Sequence, residues 1–229
     1  MPKNPERVVE QQMRFQEVIG RVAGQKKAAP KLGPFITVSR QPLSLGAEIA
    51  RRVGARLGWN VLDRELVEGL AERLEMSPKM LELMDETDSN WFRDTVLNLL
   101  DPRLGIQHSY LAKLGKVMLL AACEGRVVIV GRGGNFLLPH DRGLRVLVVA
   151  PRQARVAALR EREGLDLRAA ERRLDELDSD RAEFVRRNFK HEADDPSLFD
   201  LVLDSSSFEL EACAELICLA LERLTRLKT

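Results

Sequence analysis

The segment from residue 35 to residue 52 constrains the fold more than any other part of the chain. An apolar, β-type run ends at Ser39, a turn-prone stretch follows, and an amphipathic helical pattern comes next. A loop between a first strand and a helix is a common phosphate-binding position, because the helix N-terminus offers unpaired backbone N–H groups and a positive dipole end. This loop fits the template GxxxxGK(S/T) poorly, since it keeps Gly46 without a following lysine and has leucines at 43 and 45. By itself the segment is more typical of an ordinary strand-to-helix turn.

Length and composition describe a soluble globular chain. Its 229 residues allow one large domain, or a core with one inserted subdomain. Hydrophobic residues make up 45% of the chain and charged residues 31%, which provides enough apolar surface for a full core. The net charge of +1 gives no field suited to nucleic acid or to a membrane surface, so we expect neither as a partner.

Targeting signals and cysteine usage favour the cytoplasm. The N-terminus leads into a charged amphipathic segment and not into an apolar signal core, and no apolar run reaches membrane-spanning length. The three cysteines lie in apolar segments without metal-ligand spacing, which is typical of a reducing compartment. We therefore expect a cytoplasmic protein.

Five apolar, strand-like runs alternate with helical patterns along the chain. They lie at 35–39, 59–62, 126–131, 144–150 and 201–204. The third run is β-branched and nearly continuous, as in strands that are covered on both faces of a parallel sheet. The pattern predicts a doubly wound, five-stranded, mostly parallel α/β sheet with the strand at 127–131 near its centre.

The remaining segments are arranged around this sheet. Residues 1–31 are predicted to be an N-terminal helical extension and linker, which packs on its own core or forms a homodimer with a second subunit. Residues 32–229 are predicted to form the main domain, with a mostly helical insertion at 64–122. An arginine-rich region at 152–195 contains a long helix at about 167–188.

Two candidate side chains directly follow predicted strands. Arg132 has a glycine on each side, which leaves its guanidinium and the adjacent backbone N–H groups accessible to an anion at the strand end. The alternative is a surface arginine in a tight turn. Asp63 ends the short second strand and is placed to cap the next helix.

A further pair lies on the long arginine-rich helix. Asp178 and Arg181 are three residues apart and therefore share one helical face. The simplest interpretation is a solvated salt bridge between them. The three histidines are scattered without a nearby nucleophile pattern, so we predict neither a catalytic triad nor a metal site.

Four short segments occur in a recognisable order and spacing, at 36–40, 128–133, 178–184 and 195–203. They read ITVSR, VIVGRG, DSDRAEF and DPSLFDLVL. In this arrangement they resemble the cytidylate kinase-like family, a branch of the nucleoside monophosphate kinases. Each segment alone is a weak signal, and the four in register are more specific. The resemblance covers about residues 34–226.

The resemblance implies a P-loop kinase-like, three-layer fold with a five-stranded parallel sheet, a helical monophosphate-binding insertion and a mobile arginine-rich lid. It also implies transfer of the ATP γ-phosphoryl group to a nucleoside monophosphate, with CMP or dCMP as the acceptor and Mg²⁺ as the metal. Such a reaction depends on positioning and charge neutralisation more than on covalent chemistry by the protein. Lid closure would exclude water, so that the phosphoryl group reaches the acceptor.

The resemblance assigns roles to single residues. It places the phosphate loop at 39–48, with cofactor-binding positions at Ser39, Arg40, Ser44, Gly46 and Glu48. Asp63 corresponds to the aspartate beside the pyrimidine pocket, and Arg132 to the arginine that grips the acceptor phosphate. Asp178 and Arg181 correspond to the lid pair that contacts the acceptor and the transferring phosphoryl group. Arg132, Asp178 and Arg181 are thus the expected catalytic and substrate-binding residues.

The chain departs from the family pattern in the loop and after Arg132. Related loops read approximately Ser-Arg-x-x-Gly-Ser-Gly-Gly, whereas Leu43 and Leu45 occupy two glycine positions here, where leucine should resist positive φ and add bulk. The loop lysine of typical cytidylate kinases is absent, with Arg40 as its replacement charge, and Gly133 stands in place of an aspartate. The alternative function is a catalytically impaired relative that acts as a nucleotide-sensing or protein-interaction module. A phosphotransferase with another small phosphorylated acceptor is a third interpretation.

Overall fold

The computed structural model describes residues 32–74, 106–139 and 143–227. Five strands form one sheet in these ranges, and they are β1 (Phe35–Arg40), β2 (Asn60–Leu62), β3 (Val127–Val130), β4 (Gly143–Val149) and β5 (Leu201–Asp204). Their order is β2-β3-β1-β4-β5, and every neighbouring pair is parallel. The predicted parallel sheet is confirmed, with β1 in the middle and β3 beside it.

Helices connect the strands throughout the described ranges. They are α1 (Gly46–Leu57), α2 (Arg64–Leu74), α3 (Ile106–Glu124), α4 (Gly134–Leu137), α5 (Arg152–Glu163), α6 (Leu167–Phe189) and α7 (Leu210–Leu227), with a short 3₁₀ turn at Pro196–Leu198. This alternation gives the three-layer α/β fold of P-loop kinases. Within the same ranges, no helix combines the length and the apolar character that crossing a membrane requires.

Alternate residues of β1 pack on opposite faces of the sheet. Phe35 lies in an apolar layer with α2, α3 and α4, whereas Ile36 and Val38 lie in the opposite layer with α1 and α7. Successive side chains of a strand point to opposite faces, so a continuous apolar run requires helices on both sides. All four residues of β3 are buried for the same reason.

The helices α5 and α6 form an arginine-rich hairpin with an apolar cluster of its own, which is called the lid hairpin because the resemblance implies a lid at this position. Val156 and Leu159 of α5 pack against Ala170 and Leu174 of α6. This lid cluster is separate from the two layers that cover the sheet. The hairpin therefore keeps its internal shape through its own side-chain packing.

Predicted and observed boundaries agree closely where the chain is described. Gly58 ends α1 with a φ of 65°, which is the predicted glycine C-cap. Asp63 Oδ1 accepts a hydrogen bond from Leu66 N (3.2 Å), so the predicted cap of α2 is confirmed. The N-terminal extension and residues 75–105 of the predicted insertion lie outside the described residues. The parts of the insertion on either side, α2 and α3, are helical.

Candidate active site

The carboxyl ends of β1, β2 and β3 lie at one edge of the sheet. The parallel register pairs β3 with both β1 and β2, so the residues that follow these three strands are neighbours. Arg40, Asp63 and Arg132 meet at this edge and affect each other electrostatically. Open parallel sheets bind ligands at this edge, and the sequence had predicted all three side chains to be part of the site.

The loop between β1 and α1 keeps positive φ at both positions where related loops have glycine. Leu43 has a φ of 63° and Leu45 a φ of 59°, so both leucines adopt the left-handed conformation despite its steric cost. Ser44 helps to fix the loop, because it is almost completely buried. Its Oγ lies 2.8 Å from the Gln41 carbonyl oxygen and 3.1 Å from that of Val148, and either oxygen can accept its hydrogen.

The two leucines are held in different ways. Leu43 packs against the lid cluster, so its burial offsets part of the cost of a left-handed backbone, which is roughly 1–2 kcal/mol for a non-glycine residue. Leu45 is the N-cap residue of α1 and is 51% exposed. It provides no side-chain cap, so the first N–H groups of α1 remain available to an anion.

Arg40 ends β1 and lies against Gly131. A Cβ atom at Gly131 would collide with Arg40 Nη1, so a side chain there would require this guanidinium to shift. Burial, followed by the charges of Arg181 and Arg132, lowers the pKa of Arg40, while the charge of Asp63 acts in the opposite direction. Arg40 forms no hydrogen bond or ion pair with any other residue that the structure describes. Arg40, Arg132 and Arg181 are called the guanidinium cluster below.

Arg132 joins the helical insertion to the lid. Its Nη2 is ion-paired with Glu68 on α2, and its guanidinium lies 5.7 Å from the centroid of the Phe184 ring on α6. Its Nε is buried and has no acceptor among the described residues. The predicted acceptor-phosphate arginine therefore has one donor in use and another without a partner.

Glu68 is the centre of a polar network beside Arg132. It accepts a hydrogen bond from Tyr110 Oη (2.7 Å), and its carboxylate lies 3.4 Å from Arg64 Nε. Burial raises the pKa of Glu68, but the hydrogen bond from Tyr110 and the charges of Arg132 and Arg64 outweigh it, so the pKa is lowered. Burial and the hydrogen bond to Glu68 raise the pKa of Tyr110 to about 12.

The lid residues Asp178 and Arg181 do not pair with each other, which corrects the salt-bridge interpretation. Asp178 accepts from Arg155 Nη1, with distances of 2.7 and 3.0 Å to its two oxygens. Arg181 donates instead to Asp194 Oδ1 (2.6 Å) and to the Ala193 carbonyl (3.0 Å). Asp178 and Arg181 do share one helical face, as predicted. Their partners, however, lie on α5 and beyond the end of α6.

A polar bridge connects the lid arginine to the loop. Asp194 Oδ2 accepts from Gln41 Nε2 (2.9 Å), and Gln41 Oε1 accepts from Ala150 N (3.2 Å). Arg181 therefore reaches the loop through two side chains, Asp194 and Gln41. This bridge ties the end of the lid region to the residue that follows Arg40.

Residues 35–207, more than half of the chain, match the model of the cytidylate kinase-like family. The chain belongs to the cytidylate kinase-like family. A cytidylate kinase from Methanopyrus kandleri strain AV19 is 30% identical over 113 residues, which cover 45% of this chain and 58% of that protein. The match thus spans less than two thirds of the length of this relative.

Two solved structures align with this chain at low sequence identity. An uncharacterized protein from Eubacterium ventriosum ATCC 27560 aligns with a TM-score of 0.57 and 13% identity, over 82% of this chain and 98% of that chain. A shikimate kinase from Acinetobacter baumannii aligns with a TM-score of 0.44 and 14% identity, over 85% of this chain and 96% of that chain. The first likeness supports the fold alone, and the second is too loose to support a conclusion.

Gly133 occupies the position at which typical cytidylate kinases have an aspartate, and packing explains the glycine. Its φ is 73°, and a Cβ atom there would collide with the Phe189 ring at the end of α6. Phe189 also stacks on Phe136 of α4, with ring centroids 4.6 Å apart. An aspartate would therefore require the end of the lid hairpin to move away from the strand edge.

Two other predicted loop residues lie beneath the guanidinium cluster. Ser39 Oγ donates to Asn135 Oδ1 (3.1 Å), and Asn135 is buried with an Nδ2 that has no acceptor in the described part of the chain. Gly46 packs so closely on Arg40 that a Cβ atom would lie 2.7 Å from Arg40 Cβ. Gly46 thus packs directly against Arg40, whereas Ser39 is joined to Asn135.

The side chain of Glu48 makes its contacts along α1. Its carboxylate is ion-paired with Arg51 and lies 3.8 Å from Arg52 Nε, along the surface of α1. Its predicted contact with a cofactor stays a prediction. In this structure the contacts of Glu48 are those of an ordinary helix-surface salt bridge.

Sequence reasoning assigned no role to several residues of the site. Gln41 and Asp194 each adjoin a segment that resembles the family, and this adjacency was the available signal. Glu68 and Tyr110 are 42 residues apart and gave no signal, because only the packing of α2 on α3 brings them together.

Proposed function

We propose that this member of the family is a nucleotide kinase that transfers the γ-phosphoryl group of ATP to a pyrimidine nucleoside monophosphate, CMP or dCMP. The supporting observation is the guanidinium cluster beside the loop, in which burial, followed by the charges of Arg181 and Arg132, lowers the pKa of Arg40. Cations held this close are stabilised by a ligand of high negative charge. Phosphoryl transfer concentrates such charge between a donor and an acceptor.

The loop is the proposed site of the ATP phosphates. The positive φ values of Leu43 and Leu45 and the uncapped N-terminus of α1 fit a phosphate group, and Arg40 would supply the charge that a loop lysine supplies elsewhere. When bound, ATP supplies the phosphoryl group for transfer. The described residues contain no group of three or more His, Cys, Asp or Glu side chains that could hold a metal ion. We therefore propose Mg²⁺ as the companion of the nucleotide phosphates and assign it no protein ligand.

The acceptor is proposed to bind on the other side of the cluster. Arg132 would bind its phosphate, since its Nε has no acceptor at present within the described chain. Asp63 would lie beside the pyrimidine. Asp178 and Arg181 would contact the acceptor and the transferring group, which requires each to exchange its contact with Arg155 or Asp194.

Two observations favour the alternative of a catalytically impaired, nucleotide-sensing or protein-interaction module. The loop has no lysine, and Leu43 attaches it to the lid cluster. A loop that is held in this way can bind a nucleotide without completing the movements that transfer requires.

A coupled ADP-release assay across the nucleoside monophosphates, with MgATP calorimetry beside it, tests the proposal. We expect ATP binding with turnover, highest for CMP or dCMP. Arg40→Gln should abolish most turnover, whereas Arg51→Gln, which changes an exposed arginine of α1, should retain it. Absence of both binding and turnover in the unchanged protein would favour the alternative.

A further inference from the structure

We infer that Glu68 occupies the place of the acceptor phosphate on Arg132 and must be displaced when a phosphorylated acceptor binds. The inference rests on the proposed role of Arg132 as the acceptor-phosphate ligand. Glu68 would then lower the affinity of the site for a phosphate group, because the ligand has to displace the carboxylate from Arg132. A ligand without a phosphate would leave Glu68 in place.

The Glu68 carboxylate is surrounded by positively charged and hydrogen-bond-donating side chains, as a bound anion would be. Its carboxylate is paired with Arg132 Nη2, lies 3.4 Å from Arg64 Nε and accepts a hydrogen bond from Tyr110 (2.7 Å). Two cations and a hydroxyl donor around one carboxylate form the same donor set that a phosphate group would require. A phosphate and the Glu68 carboxylate therefore cannot both bind to all of these donors at the same time.

The arginine keeps a donor that Glu68 does not use. Arg132 Nε is buried without an acceptor among the described residues, and a buried unpaired donor costs free energy. A phosphate has more acceptor oxygens than a carboxylate, so it can bond to Nε and Nη2 together. The unused donor is an independent observation that points to a ligand larger than Glu68.

The Glu68 side chain is also exposed enough to move away from Arg132. Its side chain is 27% exposed, whereas that of Arg132 is 16% exposed and held over the Phe184 ring. Arg64, the other cation, is largely exposed. The carboxylate can therefore turn to solvent on α2 while Arg132 stays in position, and a phosphate dianion would compete with it through its greater charge.

The test is the affinity of the Glu68→Gln variant for inorganic phosphate, measured by calorimetry at constant ionic strength. Glutamine keeps the size and the hydrogen bond to Tyr110 but loses the charge that competes with phosphate. We expect phosphate and CMP to bind about three- to tenfold more tightly, the range for a partly exposed charge contact. Cytidine, which has no phosphate, should bind with unchanged affinity.

Two further variants keep the test decisive. Glu211→Gln removes an exposed carboxylate that pairs with Arg52 and Arg56 of α1, so phosphate affinity should stay unchanged. Glu68→Ala should shift phosphate affinity in the same direction as Glu68→Gln, and thermal melts of both check that the fold is intact. Weaker or unchanged phosphate binding in the folded Glu68 variants would overturn the inference, because a merely structural glutamate gives that result.

The outcomes also separate this inference from the proposed function. Tighter phosphate binding by Glu68→Gln without ADP release for any monophosphate would retain the inference and reject the kinase. Turnover with CMP but no gain in phosphate affinity would retain the kinase and reject the inference. Absence of phosphate binding in every protein would overturn the inference and the acceptor role of Arg132 together.

Discussion

The two sides of the site are stabilised in different ways. The proposed donor side consists of the loop 41–46 with α5 and the part of α6 that packs on α5, and several of its polar side chains are paired within the protein. Ser44 is bonded to loop and strand carbonyls, and Gln41 bridges to Asp194. The acceptor side consists of Glu68, Tyr110, Arg132 and Phe184, where ionic contacts surround a donor without a partner.

This difference indicates where a ligand can change the protein. On the donor side, shape comes from backbone conformation and apolar packing, so a phosphate would bind to a surface that is already formed. On the acceptor side, a phosphate would replace a carboxylate and change the partners of Arg132. Substitutions on the two sides should therefore have opposite signatures, with stability affected on the donor side and affinity on the acceptor side.

The largest expected effect on stability is that of Arg155→Ala on the donor side. Arg155 is 7% exposed, joins Asp178 to the Ala150 carbonyl and holds α6 on α5. Removing it leaves a partly buried carboxylate without its partner, at a cost of roughly 2–3 kcal/mol when discounted for the exposure of Asp178. Denaturant unfolding measures this change.

The matched control is Arg152→Ala. Arg152 and Asp175 join the same two helices with the same spacing, at 2.5 Å, but in full contact with solvent. The melting temperature should hardly change in this variant. Equal losses for the two arginines would show that burial of Arg155 does not stabilise the donor side.

On the acceptor side, Arg132→Ala should weaken monophosphate binding by about 1.5–3 kcal/mol, the range for a charge-assisted contact. Its effect on unfolding should be smaller than its effect on binding, since Glu68 is partly exposed and can turn to solvent. Calorimetry with CMP measures the affinity, and Arg56→Ala, an exposed arginine of α1, serves as the control. Unchanged affinity with an intact circular dichroism spectrum would remove Arg132 from the site.

The sequence predicted the fold more completely than the site. The strands could be identified because burial on both faces requires continuous apolar runs, and the cap at Asp63 because it is a local interaction. The partners of Asp178 and Arg181 could not be identified, because helical spacing describes one helix whereas the observed partners lie on α5 and beyond α6. Local propensity could not show how Leu43 is held at positive φ, because the lid cluster that packs on it is a tertiary contact.

The single tyrosine of the chain offers a spectroscopic probe of the acceptor side. Burial and the contact with Glu68 raise the pKa of Tyr110 from 10.0 to about 12, so tyrosinate absorbance should appear only at strongly alkaline pH. Because the pKa is raised on folding, the contribution of this phenol to stability is present below about pH 10 and is lost as the pH rises towards 12. The midpoint should fall in Glu68→Ala, which removes both the hydrogen bond and the charge, and an unchanged midpoint would show that the contact with Glu68 does not control this group.

The smallest effects on stability and affinity are expected for substitutions of Leu43 and Leu45. These substitutions distinguish the contribution of backbone conformation from that of side-chain packing in the loop. Leu45 is exposed and has a left-handed backbone, so Leu45→Gly should relieve roughly 1 kcal/mol of strain and lose a similar amount to glycine chain entropy. Its stability should stay near that of the unchanged protein, and ATP should bind more tightly because bulk beside the phosphates is removed. Leu43→Gly gains the same relief but loses contacts with the lid cluster, so it should be destabilised by about 1 kcal/mol with a smaller gain in affinity.

Thermal melts and MgATP calorimetry of the two single variants and the double variant distinguish these effects. The double variant should combine the tighter binding of Leu45→Gly with the lower stability of Leu43→Gly, unless the two leucines interact. Destabilisation of both single variants without tighter ATP binding would mean that the loop is a packed strand-to-helix connection and not a working phosphate loop. Tighter binding by Leu43→Gly alone would mean that attachment to the lid, and not bulk at the helix N-terminus, limits the affinity of the donor side for ATP.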